Sequence, residues 1–271
     1  MSHEMDVSFL DRPEILEVIF PVVYSPFLAY DYFQSKPSSG GTYSIEVEKD
    51  IKIGCGFWVS SKDSPSILYF HGNGETVADY EWIAPLYNQR GINLFVADYR
   101  GYGSSDGKPT VSNMLTDAHA IFSGFQAVLS KEGFNANVFL MGRSLGSLSA
   151  IELAFHYQDN IYGLIVESGS AHNFRRLWGH LGDSEMKTVL SEDKSFLNKV
   201  KIRQISKPTL IIHGELDQIL PVTEGQELYQ NSVAVDKKLL IIPGADHNDV
   251  MVRDQDLYFD TIEEFVKSHG R

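Results

Sequence analysis

Short runs rich in β-branched and aromatic residues alternate along this chain with longer stretches whose apolar positions recur every three to four residues. The first two runs, TYSIEVE and IKIGCGFWV, flank a polar turn at Lys49-Asp50 and predict an antiparallel hairpin. Six further runs follow: Ser66–Phe70, Ile92–Asp98, Ala136–Gly142, Ile161–Ser168, Pro208–Gly214 and Lys237–Gly244. These are continuously apolar, as strands buried on both faces should be. Between them, Val77–Arg90, Asn113–Glu132, Leu145–Tyr157, Val222–Asn231 and Asp256–Lys267 read as helices. Strand and helix in alternation predict an α/β fold, a mostly parallel sheet with helices on both faces.

Two segments fall outside that rhythm. Gly169–Ser206 is about twice the length of an ordinary crossover and holds no strand-like run. Phe174, Leu177, Trp178 and Leu181 stand there at helical spacing, which predicts a short helical cap over the C-terminal end of the sheet. The other segment, Ile15–Phe33, is markedly apolar, but Glu17, Pro21, Pro26 and Asp31 interrupt it, so it is a poor membrane span. An arm packed on the domain is the expectation; a segment facing a membrane or covering the site is the alternative. The division is therefore an N-terminal arm (1–41), a core (42–168 and 207–271) and a cap insertion (169–206).

Charge and cysteine content narrow the function classes. A net charge of −13 with no basic patch argues against nucleic acid as a partner. The single cysteine, Cys55, allows no intrachain disulfide and sits in an apolar strand, where it reads as a small buried hydrophobe. The opening MSHEMD is acidic where a secretion signal carries positive charge, and with the lone cysteine this points to the cytoplasm.

The chemistry concentrates in Gly142-Arg143-Ser144-Leu145-Gly146. This G-x-S-x-G follows a predicted strand and precedes a predicted helix, the setting of a nucleophile elbow. A serine hydroxyl needs a base, and the base needs an orienting acid, here expected after late strands in the order Ser, Asp, His. LIIHGELDQILP offers Asp217 and LIIPGADHND offers His247. Glu215 rivals Asp217, which lies deeper in its loop. His213 reads as structural, and Asp246 and Asp249 as solvated loop residues. His172 and His180, in the cap, are expected at the surface. His71-Gly72-Asn73-Gly74 matches a loop that supplies an oxyanion N–H, so the hole is assigned to the backbone amides of Asn73 and Leu145. Gly72, Phe174, Leu177 and Trp178 are candidates for substrate contact. DYRGYGSSDGKP fails as a phosphate loop because its spacing is one residue short and Pro109 follows Lys108. No metal or cofactor signature is present, so none is expected.

Taken together, HGNG, DYRGYGSSDG, GRSLG, PTLIIHGELDQILP and PGADHND, in that order from about Thr42 to His269, resemble the α/β-hydrolase superfamily. The sequence also resembles the serine-aminopeptidase-like and Bem-type hydrolases, a branch with a short cap. The resemblance implies an eight-stranded, mostly parallel sheet with strand two antiparallel. It also implies esterase, thioesterase, lipase or, less often, peptidase chemistry on a small molecule, without a cofactor. Arg143 departs from the histidine common at that position, and Glu167 has no assigned role, an ion pair with Arg143 being its candidate use. The favoured reading is a serine hydrolase of carboxylic esters or thioesters. An amidase or peptidase of the same fold, and a non-catalytic binding protein on it, are the alternatives.

Overall fold

The computed structural model describes residues 7–24, 40–174, 182, 184 and 197–270. Eight strands form one sheet: β1 Gly41–Glu48, β2 Ile51–Trp58, β3 Ser66–Phe70, β4 Asn93–Ala97, β5 Val138–Arg143, β6 Gly163–Glu167, β7 Thr209–Gly214 and β8 Lys237–Ile242. Their spatial order is β1-β2-β4-β3-β5-β6-β7-β8. The β1–β2 hairpin is antiparallel, β2 is antiparallel to β4, and every later pair is parallel.

Alternate residues along each central strand feed two separate cores. Leu68, Phe70, Leu140 and Leu164 face the helices Val111–Glu132 and Ser147–His156. Ile67, Tyr69, Met141 and Ile165 face the other layer, where Tyr258, Phe259, Ile262 and Val266 of the helix Gln255–His269 pack. The strands from β3 to β7 are buried apart from the half-buried Arg143 that ends β5, which is why their runs carry no polar alternation. β8 differs: it pairs only with β7, Lys237 and Lys238 open it, and most of its residues are half-buried. It is an edge strand, kept polar at its start against edge-to-edge pairing.

Two helices depart from the periodicity. The expected helix over Val77–Arg90 is broken into a 3₁₀ turn, Val77–Tyr80, and a short helix, Ala84–Asn88. Asp98 accepts from the Val77 N–H at 2.8 Å, and Pro85 has no N–H to continue an upstream turn. The helix after Ser144 begins as a 3₁₀ turn, Ser144–Gly146, and becomes regular at Ser147.

That junction is where β5, the helix and β3 come closest. A Cβ on Gly142 would lie 2.3 Å from the Gly146 carbonyl oxygen, and one on Gly146 would lie 2.0 Å from the Phe70 carbonyl oxygen. Only residues without a side chain allow this approach. Gly146→Ala is therefore expected to cost about 3 kcal/mol or more, since the obstacle is backbone and cannot rotate away. Urea denaturation with an unchanged midpoint would contradict this account of the junction.

Candidate active site

At the end of β5 the chain turns so sharply that Ser144 takes φ +51°, the left-handed region that side chains with a Cβ avoid. Such strain persists where surrounding structure enforces it, and here the two glycine contacts do so. The Ser147 hydroxyl donates to the Ser144 carbonyl at 2.6 Å and secures the turn. Ser144 Oγ is left facing a cleft of about 760 Å³.

The turns after β7 and β8 bring the other two predicted residues to it. His247 Nε2 lies 2.8 Å from Ser144 Oγ, and His247 Nδ1 lies 2.7 Å from Asp217 Oδ2. Asp217 Oδ1 accepts from the N–H groups of Ile219 and Leu220 at 2.9 and 2.8 Å. His213, fully buried, approaches Oδ2 at 3.3 Å and also meets the Leu220 carbonyl at 2.8 Å. Burial alone would push the Asp217 carboxyl up. The hydrogen bonds from His213 and His247, and that from the Leu220 amide, prevail and hold it well below the usual carboxylate range. Glu215 lies apart, exposed, accepting from the Gly244 N–H. Asp246 and Asp249 are hydrogen-bonded within their own turn and shape the loop that carries His247.

Asn73 and Leu145 line the cleft beside Ser144. The loop carrying Asn73 is anchored at His71, whose Nε2 meets Asp98 Oδ1 at 3.1 Å and whose carbonyl accepts from the Tyr99 hydroxyl at 2.7 Å. Burial opposes protonation of His71, but the hydrogen bond and charge of Asp98 raise its pKa overall. Gly72 does not line the cleft. Its N–H donates to Glu75 Oε2 at 2.9 Å, and a Cβ there would meet Arg143 Nη1 at 2.4 Å. Phe174 is half-buried and lines the cleft. Leu177, Trp178 and His180 lie outside the described residues. His172 is buried rather than exposed, with Nδ1 3.0 Å from Glu224 Oε1.

The sequence reading missed the reach of Arg143. Its guanidinium donates to Glu75 Oε1, to the His247 carbonyl at 2.9 Å and to Asn248 Oδ1 at 3.1 Å. Its Nε lies 3.3 Å from Glu167 Oε1, so the candidate pairing is present. Tyr258 donates to the other Glu167 oxygen at 2.6 Å. Burial raises the Glu167 pKa, with Arg143 opposing. The only local signal for this cluster was the placement of a cation next to the serine. A smaller cavity of about 180 Å³ borders it, lined by Glu75, Tyr80, Arg143, Glu167 and Tyr258 among others.

Away from the cleft, His119, Glu152 and His156 converge within 4.8 Å. Glu152 Oε1 faces both imidazoles, at 3.8 and 3.0 Å, while Lys201 takes Oε2. Despite burial, Lys201 and the two histidines hold Glu152 well below the usual carboxylate range. The cluster works as an ion-paired staple between neighbouring helices. Among the described residues no helix is long and apolar enough to cross a membrane.

Comparison with known proteins matches residues 62–191 to the family model "Serine aminopeptidase, S33". The human "Alpha/beta hydrolase domain-containing protein 17B" is 29% identical over 227 residues, covering 83% of this chain and 74% of that protein. The mouse protein 17C is 26% identical over 243 residues, covering 88% and 71%. Among solved structures, a Pyrococcus furiosus esterase aligns with TM-score 0.70 at 18% identity, over 86% of this chain and 93% of its own. Est1E from Butyrivibrio proteoclasticus, solved with ferulic acid bound, aligns with TM-score 0.68 at 21% identity, over 84% and 98%.

Two outcomes follow from these contacts. Arg143→Ala leaves Glu167 buried without its cation and is expected to cost about 3–5 kcal/mol; unchanged stability on urea denaturation would overturn the pairing. Asp217, with its pKa depressed in the folded state, contributes stability that is present above its ordinary value of 3.8 and is lost as pH falls through the folded value. The stability gap between wild type and Asp217→Asn should therefore narrow below about pH 4. A gap independent of pH from 7 to 2.5 would contradict this.

Proposed function

This chain belongs to the α/β-hydrolase superfamily, and on that premise we propose that it is a serine hydrolase cleaving carboxylic esters or thioesters through an acyl-enzyme. The observation that carries the reading is the relay from Asp217 through His247 to a strained Ser144, at 2.7 and 2.8 Å. No bland role accounts for a serine in a left-handed turn with an imidazole nitrogen on its hydroxyl and a buried carboxylate behind that imidazole.

In this mechanism Ser144 Oγ attacks the carbonyl carbon while His247 Nε2 takes the hydroxyl proton. Asp217 remains an anion; it holds the imidazole in the tautomer with Nε2 free to accept and stabilises the imidazolium that forms. Its depressed pKa suits that role. The carbonyl oxygen becomes an oxyanion, held by the N–H groups of Asn73 and Leu145. Collapse of the tetrahedral adduct breaks the bond to the alkoxide or thiolate, which leaves with the proton from His247. Water then attacks the acyl-enzyme, giving up its proton to His247, and the free acid leaves as that proton returns to Ser144 Oγ. One water is consumed, and one acid and one alcohol or thiol are released.

Among the described residues the cleft lining suits an ester better than an aminopeptide; Glu185, Glu192 and Asp193, the cap acids a peptidase would call on, lie outside them. Recognition of a free α-amine requires a carboxylate with an oxygen to spare. Glu224 is the carboxylate lining the cleft among the described residues, and both its oxygens are engaged, by the Ser170 hydroxyl, the Ala171 and His172 amides and the His172 ring. The remaining lining is largely apolar, with Leu145, Leu148, Phe174, Ile219 and Leu220.

The deciding experiment is labelling with a fluorophosphonate, read by intact mass, on wild type beside Ser144→Ala. One adduct on wild type and none on the variant is expected. No adduct on folded wild-type protein would overturn the reading. A matched amino-acid anilide and ester would then rank the bonds, with the ester cleaved faster.

A further inference from the structure

The N-terminal helix Pro13–Ile19 is anchored from beneath. Ile15, Leu16, Ile19 and the following Phe20 are buried in the same core that receives Leu145 and Leu148 beside Ser144. Burial of this kind would suffice for an arm that merely packs on the domain. Two consecutive residues do more: Val18 and Ile19 line the cleft that contains Ser144 and His247. Val18 is 57% exposed and Ile219 41%, so each leaves apolar surface at the cleft while contributing to its lining.

The same helix also reaches the oxyanion loop. Asn73 Nδ2 donates to the Ile19 carbonyl at 2.5 Å. On its other side, Asn73 Oδ1 accepts from the buried Tyr102 hydroxyl at 2.8 Å. The side chain of the residue whose N–H is assigned to the oxyanion is thus gripped from two sides. One grip comes from the core and the other from the N-terminal helix. A carbonyl at the end of a short helix has no intrahelical donor left, so the Asn73 amide satisfies both partners at once.

We infer that the N-terminal helix is a working wall of the active site: Val18 and Ile19 determine which acyl chains fit, and the Ile19 carbonyl fixes the loop that presents the Asn73 N–H. This rests on the ester-cleavage reading above. An acyl chain lying from Ser144 along Leu145 and Leu148 toward Val18 and Ile219 buries more apolar surface with each methylene. Each methylene so buried raises kcat/KM roughly fourfold until the chain reaches the mouth of the cleft. Beyond that point added methylenes stay in water and the gain stops. Val18 is the most exposed apolar side chain of this wall, so it can change size without disturbing the core.

The test is the chain-length profile of kcat/KM for p-nitrophenyl acetate, butyrate, octanoate and dodecanoate. It is measured in wild type, Val18→Trp and Val18→Ala. Val18→Trp is expected to lower the octanoate and dodecanoate values relative to acetate tenfold or more. Val18→Ala should move the optimum toward longer chains. Asn73→Asp keeps the main-chain N–H and the acceptor for Tyr102 but cannot donate to Ile19. It should lower kcat tenfold or more at every chain length, with KM within twofold, a split that loss of wall packing would not produce. Superimposable profiles in all three Val18 proteins, with Ser144 still labelled by the fluorophosphonate, would overturn the wall. An unchanged kcat in Asn73→Asp would overturn the latch. Wild-type protein that neither labels nor cleaves any of the esters would remove the reaction and this inference together, so the two failures are told apart.

Discussion

The Arg143 guanidinium is buried among groups supplied by separate parts of the chain: Glu75 after β3, Glu167 at the end of β6, and the His247 carbonyl and Asn248 side chain after β8. It comes from the residue immediately before Ser144, so the Ser144 turn, the loop carrying Asn73 and the loop carrying His247 share one rigid planar fork. Glu75 extends the connection, since its second oxygen accepts from Gly72 N–H and from the Tyr80 hydroxyl. A lysine could supply the charge but not three directed donations and a further ion pair from one plane. Both distances of the Asp217–His247–Ser144 relay involve His247, whose loop this cation ties to the end of β5.

Burying that cation is costly, and the two carboxylates respond differently. Burial drives Glu75 up, but Arg143 and His71 bring it below its ordinary value. Burial raises Glu167, and Arg143 and the Tyr258 hydroxyl offset this only in part. Both carboxylates are therefore paired to Arg143, strongly enough to bring Glu75 below its ordinary value but not Glu167. Buried pairs of this kind contribute little net stability when compared with apolar packing, though breaking one is expensive. Their use here is geometric: they fix where loops from β3, β6 and β8 stand relative to the end of β5.

The strained turn at Ser144 and the N-terminal helix complete the arrangement from opposite sides. Gly142 and Gly146 let the turn press against β3, which leaves Ser144 lining the cleft at the start of the helix. The N-terminal helix closes the cleft with Val18 and Ile19 and grips Asn73 through a carbonyl. The proposed cleavage of an apolar ester calls on both features: a preorganised polar point at the carbonyl and an apolar wall beside it.

Much of this was legible in the residues themselves. Ser66–Phe70 and Val222–Asn231 form the elements their patterns predict at the same limits, because continuous apolar runs and 3.6-residue periodicity report burial directly. Ser144, Asp217 and His247 stand out because a glycine-flanked serine after a strand, and acid and imidazole after late strands, form a pattern tied to one chain topology. The tertiary structure alone decided the rest. The partners of Arg143 lie 68, 24 and 104 residues away along the chain, and only the β3-β5-β6-β7-β8 order brings them together. The break in the helix after Val77 depends on a carboxylate from the end of β4, and the burial of His172 depends on Glu224. The apolar pattern of the N-terminal arm left packing on the domain and covering the site both open, and only the fold shows that its first helix lines the cleft around residue 144. Local patterns report which side of an element is buried; ion pairs, latches and cleft walls depend on which elements become neighbours, and that is settled only when the sheet closes.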